Sequence, residues 1–240
     1  ETVAATYGVE TAPDMRESFV FGPEDRPDDE YHREGTPEWF GPTPYPDEIP
    51  GLRDSVVEWT SGSTRVARAV MEACAIALDI DPADVLNVCQ QPTSTSAVHW
   101  YPPLSKTGPP RPGAFRIGPH TDFNTVTVLD REPGVGALEI QDIDGAWLQA
   151  PHVPGALLIN VGDLMTIWSS GRWRSTYHRV LPPQGSAPDE DLMSLVFFLA
   201  ADYDAMIVPL IGDPAPPFEF GSWRRAKMAL LAEGLPGNAD

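Results

Sequence analysis

His120 and Asp122 stand two apart in "RIGPHTDFNTVTVLD", residues 116–130, inside an alternating apolar run. Side chains at i and i+2 of a strand point to the same side. The spacing therefore predicts that imidazole and carboxylate project together, with Thr121 turned to the opposite face. Burying such a pair is costly unless something compensates, and a metal ion is one compensator. A third donor, His178 in "RWRSTYHRVL", lies 56 residues beyond Asp122, where a neighbouring strand could bring it opposite the pair. Two imidazoles and one carboxylate on one side of an ion leave the other positions open, the facial arrangement suited to non-heme Fe(II). The competing reading is two ordinary core-edge histidines, because a bare H-x-D pattern is common. His32, in an acidic loop, and His152, beside Pro151, read as surface residues.

Helices come first and strands follow. Residues 1 to about 50 are irregular and rich in proline ("GTPEWFGPTPYPDEIPGL"), which excludes a helix or central strand there and suggests a covering segment. From Leu52 to about Leu78, apolar residues recur at helical spacing, with Gly62 marking a bend or break. Asp81 and Pro82 then read as the N-cap and first residue of a short helix. After Gln91 about seven strands follow, including "STSAVHWY", "GALLINVGDLMTIWS" and a hairpin turning at Asp144-Gly145 in "GALEIQDIDGAWLQA". A final helix, "SWRRAKMALLAE", closes the run. This order predicts an α+β chain, mainly β, built around a barrel or jelly roll with flanking helices.

Within 240 residues, 16 Lys and Arg stand against 35 Asp and Glu, a net charge of −19. That argues against nucleic acid or an anionic membrane as partner, since both need a basic footprint. No run of apolar residues is long enough for a transmembrane helix. Cys74 and Cys89, without a secretory signal, read as buried unpaired thiols in a reducing cytoplasm.

The motifs taken together resemble the isopenicillin N synthase-like family of Fe(II)/2-oxoglutarate-dependent dioxygenases. The features that carry the resemblance are H-T-D, "GALEI", "DGAWLQAPHVPGALLINVGDLM", "SSGRWRSTYHRV", "HWYPPL" and "MRESFVFG", spread from about Ala12 to Ala232. The resemblance implies a double-stranded β-helix (jelly roll, cupin-like), with 51–90 helical, 91–212 as core and 220–234 as the C-terminal helix of one domain. It implies Fe(II) on His120, Asp122 and His178, 2-oxoglutarate as cosubstrate, and O₂ with a small-molecule substrate, possible products being those of hydroxylation, desaturation or cyclisation, as in secondary metabolism. Tyr101 falls on the family tyrosine that helps hold the cosubstrate. Some 80 residues that open the family domain have no counterpart, so the chain reads as truncated.

One position departs. The family closes its cosubstrate site with R-x-S on a late strand, the arginine pairing in bidentate fashion with the distal carboxylate. Here the stretch is "EDLMSLVFF": Ser194 is in place, but the arginine position is Leu192. Three readings follow. Another arginine, Arg179 or Arg116, substitutes; or the substrate binds iron directly without 2-oxoglutarate; or the iron site has lost turnover. Arg179 also has a structural reading, since "HRV" accompanies R-x-S elsewhere in the family. His99, on the face of Tyr101, and Phe198, four beyond Ser194, are expected to line the substrate pocket. Trp168, Trp173 and Asn160 read as structural. Outside this family, a Zn²⁺ hydrolase would use the same donors with a bound water, but the strands offer no general base. A non-catalytic jelly-roll binding module would not need the three donors.

Overall fold

The computed structural model describes residue 4 and residues 11–24, 26–135, 138–183 and 187–233. In chain order the elements are β1 (Glu17–Phe21), α1 (Glu30–Glu34), α2 (Leu52–Ala77), α3 (Pro82–Leu86), β2 (Thr95–Tyr101), α4 (Leu104–Thr107), β3 (Ile117–His120), β4 (Val126–Arg131) and β5 (Leu138–Gln141). Then come β6 (Trp147–Gln149), β7 (Leu158–Val161), α5 (Asp163–Trp168), β8 (His178–Val180), β9 (Leu192–Leu199), β10 (Met206–Ile207), β11 (Phe218–Glu219) and α6 (Phe220–Glu233).

Two antiparallel sheets carry the fold. One has five strands in the order β1-β2-β9-β4-β7, the other four in the order β3-β8-β5-β6, and β10-β11 form a separate pair. Strand alternation sorts the larger sheet's residues to two sides. Val126, Val128, Phe197 and Leu199 pack outward with Ala67, Met71 and Cys74 of α2 in the main core. Thr127, Leu129, Ser194, Val196 and Phe198 face a cavity instead. Phe197 is fully buried, so truncating it to alanine should cost roughly 3–5 kcal/mol. A second cluster, Tyr101, Ile117, Leu138, Ala150 and Val180, joins the two sheets across that cavity, with Leu129, Leu158 and Leu192 packed against it.

Several local expectations change in three dimensions. The proline-rich first 50 residues do contain a strand, because ESFVF at 17–21 is free of proline; β1 pairs with β2 as the sheet's edge. His32 is buried, with Nδ1 2.7 Å from Asp29 and its ring 4.6 Å from that of Phe40, whereas His152 is exposed. Helix α2 runs unbroken through Gly62, since the face that includes Val56, Ser63, Ala67 and Met71 is held by packing along its length. Asp81 accepts the Ala83 N–H at 2.9 Å and caps α3. Both cysteines are free and buried.

Two corrections bear on the site. The run 116–130 is not one strand: β3 belongs to the smaller sheet and β4 to the larger, and residues 121–125 carry the chain between them. Residues 163–168 form α5 rather than continuing β7, because the chain turns at Gly162. A Cβ on Gly162 would collide with the Asn124 backbone and side chain. The close approach lets the Gly162 N–H reach Thr125 O and the Asp163 N–H reach Asp122 O, each at 2.8 Å. The hairpin β5-β6 is closed by a turn in which the Gly145 N–H donates to Asp142 O, with Gly145 at φ +86°. The strand count after Gln91 is ten among the described residues rather than about seven, the surplus lying in short pieces such as β10 and β11.

Candidate metal centre and its pocket

The sheet-to-sheet crossing is what assembles the centre. His120 ends β3 and sits directly opposite His178 at the start of β8. The β3 register shifts between Ile117 and His120, around Gly118-Pro119, as expected where proline interrupts a ladder. Asp122 therefore reaches the imidazoles from the turn beyond the strand, not by simple alternation. The Oδ1 of Asp122 lies 3.7 Å from His120 Nε2 and 3.9 Å from His178 Nε2, too far for hydrogen bonds. One ligating atom from each of the three residues falls within 4.8 Å of the others, a gap that an ion can fill.

The surrounding bonds prepare the donors for a metal. His120 Nδ1 is 2.8 Å from Gly118 O and His178 Nδ1 is 2.8 Å from Thr176 O. A ring donating its Nδ1–H to a carbonyl keeps the Nε2 lone pair free, the usual arrangement behind metal-bound histidine. Asp122 Oδ2 accepts from Thr127 Oγ1 at 2.6 Å and from Asn160 Nδ2 at 2.8 Å, leaving Oδ1 turned toward the imidazoles. Burial, reinforced by the facing His178, holds His120 at about 3, so it is neutral at pH 7. Burial acts to raise Asp122, but the two imidazoles and the bonds from Thr127 and Asn160 outweigh it and keep the carboxylate ionised. Two imidazole nitrogens and one carboxylate oxygen suit a divalent iron.

The centre opens on a cavity of about 480 Å³ between the sheets, a size that takes small organic ligands. Tyr101, Ser194, Arg116, His99 and Phe198 all line it. Tyr101 Oη and Ser194 Oγ are 3.3 Å apart, and burial raises the phenol's pKa, keeping it a neutral donor. Arg16 Nη1 lies 3.1 Å from both nitrogens of His99, and Ser18 Oγ lies 2.8 Å from its Nδ1. Burial first, then the Arg16 charge, push His99 down to about 3. Val20 of β1 and Arg224 and Met228 of α6 add to the wall, so both the covering segment and the last helix reach the pocket.

Arg179 is not part of this pocket. As the next residue after His178 on β8 it faces the other way, bonded to Glu139 at 2.7 Å with its guanidinium 4.0 Å from the centre of the Trp147 ring. Arg116 lines the pocket but is tied to Glu190 through Nη1 at 2.6 Å and to the Glu190 carbonyl through Nη2 at 3.1 Å. Trp168 and Trp173 pack in the main core instead. Thr127, Arg16 and Arg131 are pocket residues that the sequence reading does not name, while Asn160, read there as structural, supports Asp122. The signal for Thr127 and Arg131 was available: they are the polar members of the alternating face 127, 129, 131.

Residues 85–201 match the family model described as the 2OG-Fe(II) oxygenase superfamily. The chain is 44% identical over 210 residues to validamycin A dioxygenase of Streptomyces hygroscopicus subsp. limoneus, covering 88% of this chain and 56% of that protein. It is 34% identical over 163 residues to the 2-oxoglutarate-Fe(II) type oxidoreductase ppzD of Metarhizium majus, covering 65% and 46%. Its fold resembles a full-length Neurospora crassa protein solved in complex with alpha-KG, with a TM-score of 0.76, 23% identity and coverage of 91% and 67%. The chain spans about half the length of the curated relatives it matches. With the donor set and pocket already in place, residues 85–201 are a domain of the 2OG-Fe(II) oxygenase superfamily.

Proposed function

We propose that this chain is the catalytic part of an Fe(II)- and 2-oxoglutarate-dependent dioxygenase that oxidises a small organic molecule, of the kind made in secondary metabolism. The observation that carries the reading is the pair of imidazoles with Nε2 freed by backbone acceptors, facing one carboxylate oxygen held by Thr127 and Asn160. The two sheets are read as the double-stranded β-helix of this superfamily, and residues 1–240 as one domain whose first 50 residues and last helix wall the pocket.

In this reading His120, Asp122 and His178 hold the iron. When bound, Fe(II) and 2-oxoglutarate supply the oxidising chemistry: 2-oxoglutarate and O₂ are consumed, succinate and CO₂ form, and a substrate C–H bond is oxidised. Thr127 and Asn160 keep the Asp122 carboxylate in one orientation. Tyr101 and Ser194 offer neutral hydroxyls to the cosubstrate. Leu129, Leu158, Leu192 and Val180 exclude water from its carbon chain, and His99 and Phe198 bound the space left for substrate. The relatives' names favour this reading over direct chelation of the substrate by iron.

Anaerobic addition of Fe(II) and then 2-oxoglutarate should produce a weak visible charge-transfer band, and admission of O₂ with a suitable substrate should yield succinate. A chain that takes up no iron, or that never forms succinate across a panel of candidate substrates including validamycin A, would remove the proposal. A spectral change driven by substrate alone, with no 2-oxoglutarate consumed, would replace it by the direct-chelation oxidase.

A further inference from the structure

Leu192 leaves the distal carboxylate of 2-oxoglutarate without its usual partner, yet four guanidinium groups line the same pocket: Arg16, Arg116, Arg131 and, from α6, Arg224, whose Nη1 donates to the Thr93 carbonyl and hydroxyl. Two of them are already matched by carboxylates. Arg16 lies 3.7 Å from Asp14 and against His99, and Arg116, 1% exposed, is paired with Glu190 at 2.6 Å. Arg131 differs. Among the described residues it forms no ion pair, and its one hydrogen bond runs from Nη2 to Ala150 O at 2.5 Å. A guanidinium has five N–H donors in a planar fork, so most of this one's capacity is unused. The group is also partly withdrawn from water, and burial lowers its pKa.

The register puts Arg131 where a cosubstrate contact is needed. On β4 it stands directly opposite Ser194 of β9, so both side chains share the cavity face. Leu192, two residues further along β9, is paired with Tyr101 on the other side. Thr127, which holds the metal-facing Asp122, lies four residues before Arg131 on the same face, about 13 Å along the strand. A five-carbon diacid held at the metal by its 2-oxo acid end, plus an arginine reaching back toward it, fills that span. The neighbouring Glu132 is exposed and spends one oxygen on the Met193 N–H at 2.7 Å.

We infer that Arg131, presented from the adjacent strand, binds the distal carboxylate of 2-oxoglutarate in place of the missing arginine at position 192. This rests on the 2-oxoglutarate reading above. Ser194 and Tyr101 add hydroxyls beside the fork, while Leu192 packs with Tyr101, Leu138 and Val180 as the apolar wall around the carbon chain. An arginine at 192 would sit diagonally from Arg131, within reach of the same carboxylate. One of the two positions is therefore sufficient.

The test is calorimetric titration of the Mn(II)-loaded chain, which needs no turnover, with 2-oxoglutarate and with 2-oxopentanoate, a 2-oxo acid of the same length lacking the distal carboxylate. Arg131→Leu should weaken 2-oxoglutarate binding by about 30-fold or more, the scale of losing one side of a desolvated charge pair. It should leave 2-oxopentanoate binding unchanged. Arg131→Lys should fall between the two, because it keeps the charge without the fork. Arg131→Leu combined with Leu192→Arg should recover most of the lost affinity. Unaltered 2-oxoglutarate binding in Arg131→Leu, or equal loss of both ligands, would overturn the assignment while leaving the proposed function standing. A parent chain that binds neither ligand would overturn both.

Discussion

His120 and His178 face each other across β3 and β8 with ring centres 4.2 Å apart, and each ring is anchored through Nδ1 to the carbonyl two residues before it. Two imidazoles this close, with a carboxylate beside them, gain more from a shared cation than from one another.

Removal of any of the three donors should abolish tight metal binding. His178→Ala and Asp122→Ala are expected to leave less than one Fe(II) or Mn(II) per chain under conditions that saturate the parent. In the parent, Mn(II) at 100 times its dissociation constant should stabilise the fold by about 2.7 kcal/mol, and a chelator should reverse this. A melting temperature unmoved by Mn(II), with stoichiometric binding retained in His178→Ala, would place the ion elsewhere.

Thr127 and Asn160 both donate to Asp122 Oδ2, so they would act on a bound metal through Asp122. Thr127→Val and Asn160→Ala should each lower metal affinity by roughly 10- to 100-fold, the usual effect of losing a group that orients a ligand. Asn160→Asp should do worse than Asn160→Ala, since it places a second carboxylate against Asp122 Oδ2. Metal titration followed by loss of protein fluorescence or by calorimetry reads this directly. Affinities equal to the parent in both single variants would mean that Asp122 is oriented by its backbone alone.

Acid should weaken the fold through His99. Its folded value of about 3 lies below the ordinary 6.5, so the folded protein binds this proton less readily than the unfolded chain. The corresponding stability is full above pH 6.5 and is lost as pH falls toward 3, by about 1.4 kcal/mol for each pH unit. Arg16 and Ser18 contact the ring, and the Asp122 charge acts on it at longer range. Metal-free His99→Gln should therefore lose stability less steeply than the parent between pH 6.5 and about 4.5 in denaturant titrations. Parallel curves would show that His99 protonates in the folded state at its ordinary pH.

Arg116 and Glu190 form a buried pair whose work is structural. Arg116→Met or Glu190→Leu alone should cost roughly 3–5 kcal/mol, because each leaves an uncompensated buried charge, while the double variant should cost much less. Unfolding free energies of the three variants at neutral pH form a double-mutant cycle. Additive losses would show that the two groups do not depend on each other.

Much of this centre was legible in the chain itself. The H-x-D spacing, the later His178 and the motifs around them name the donors, and Tyr101 and Ser194 follow from the same motifs. Alternation does not run unbroken from 116 to 130, because β3 and β4 lie in different sheets. The sheet crossing at 121–125 is made by the contacts of Asp122, Asn124 and Thr125 with Gly162 and its neighbours nearly forty residues later, and no local pattern records them. His32 was likewise misplaced: an acidic, polar segment reads as surface until Phe40 and Asp29 close over the ring.

The arginines mark the boundary between the two kinds of information. Sequence alone determined that a leucine stands at 192, where the family motif has arginine, and that two histidines and an aspartate stand at the motif's ligand positions, because both are statements about residue identity at motif positions. Which guanidinium faces the pocket was decided only by the tertiary structure. Arg179 turns away because it neighbours His178 on a short strand, Arg116 is matched by a glutamate 74 residues distant, and Arg131 shares a face with Ser194 through cross-strand register. A charge can act only on what lies near it in space, and pairings between distant strands set that nearness.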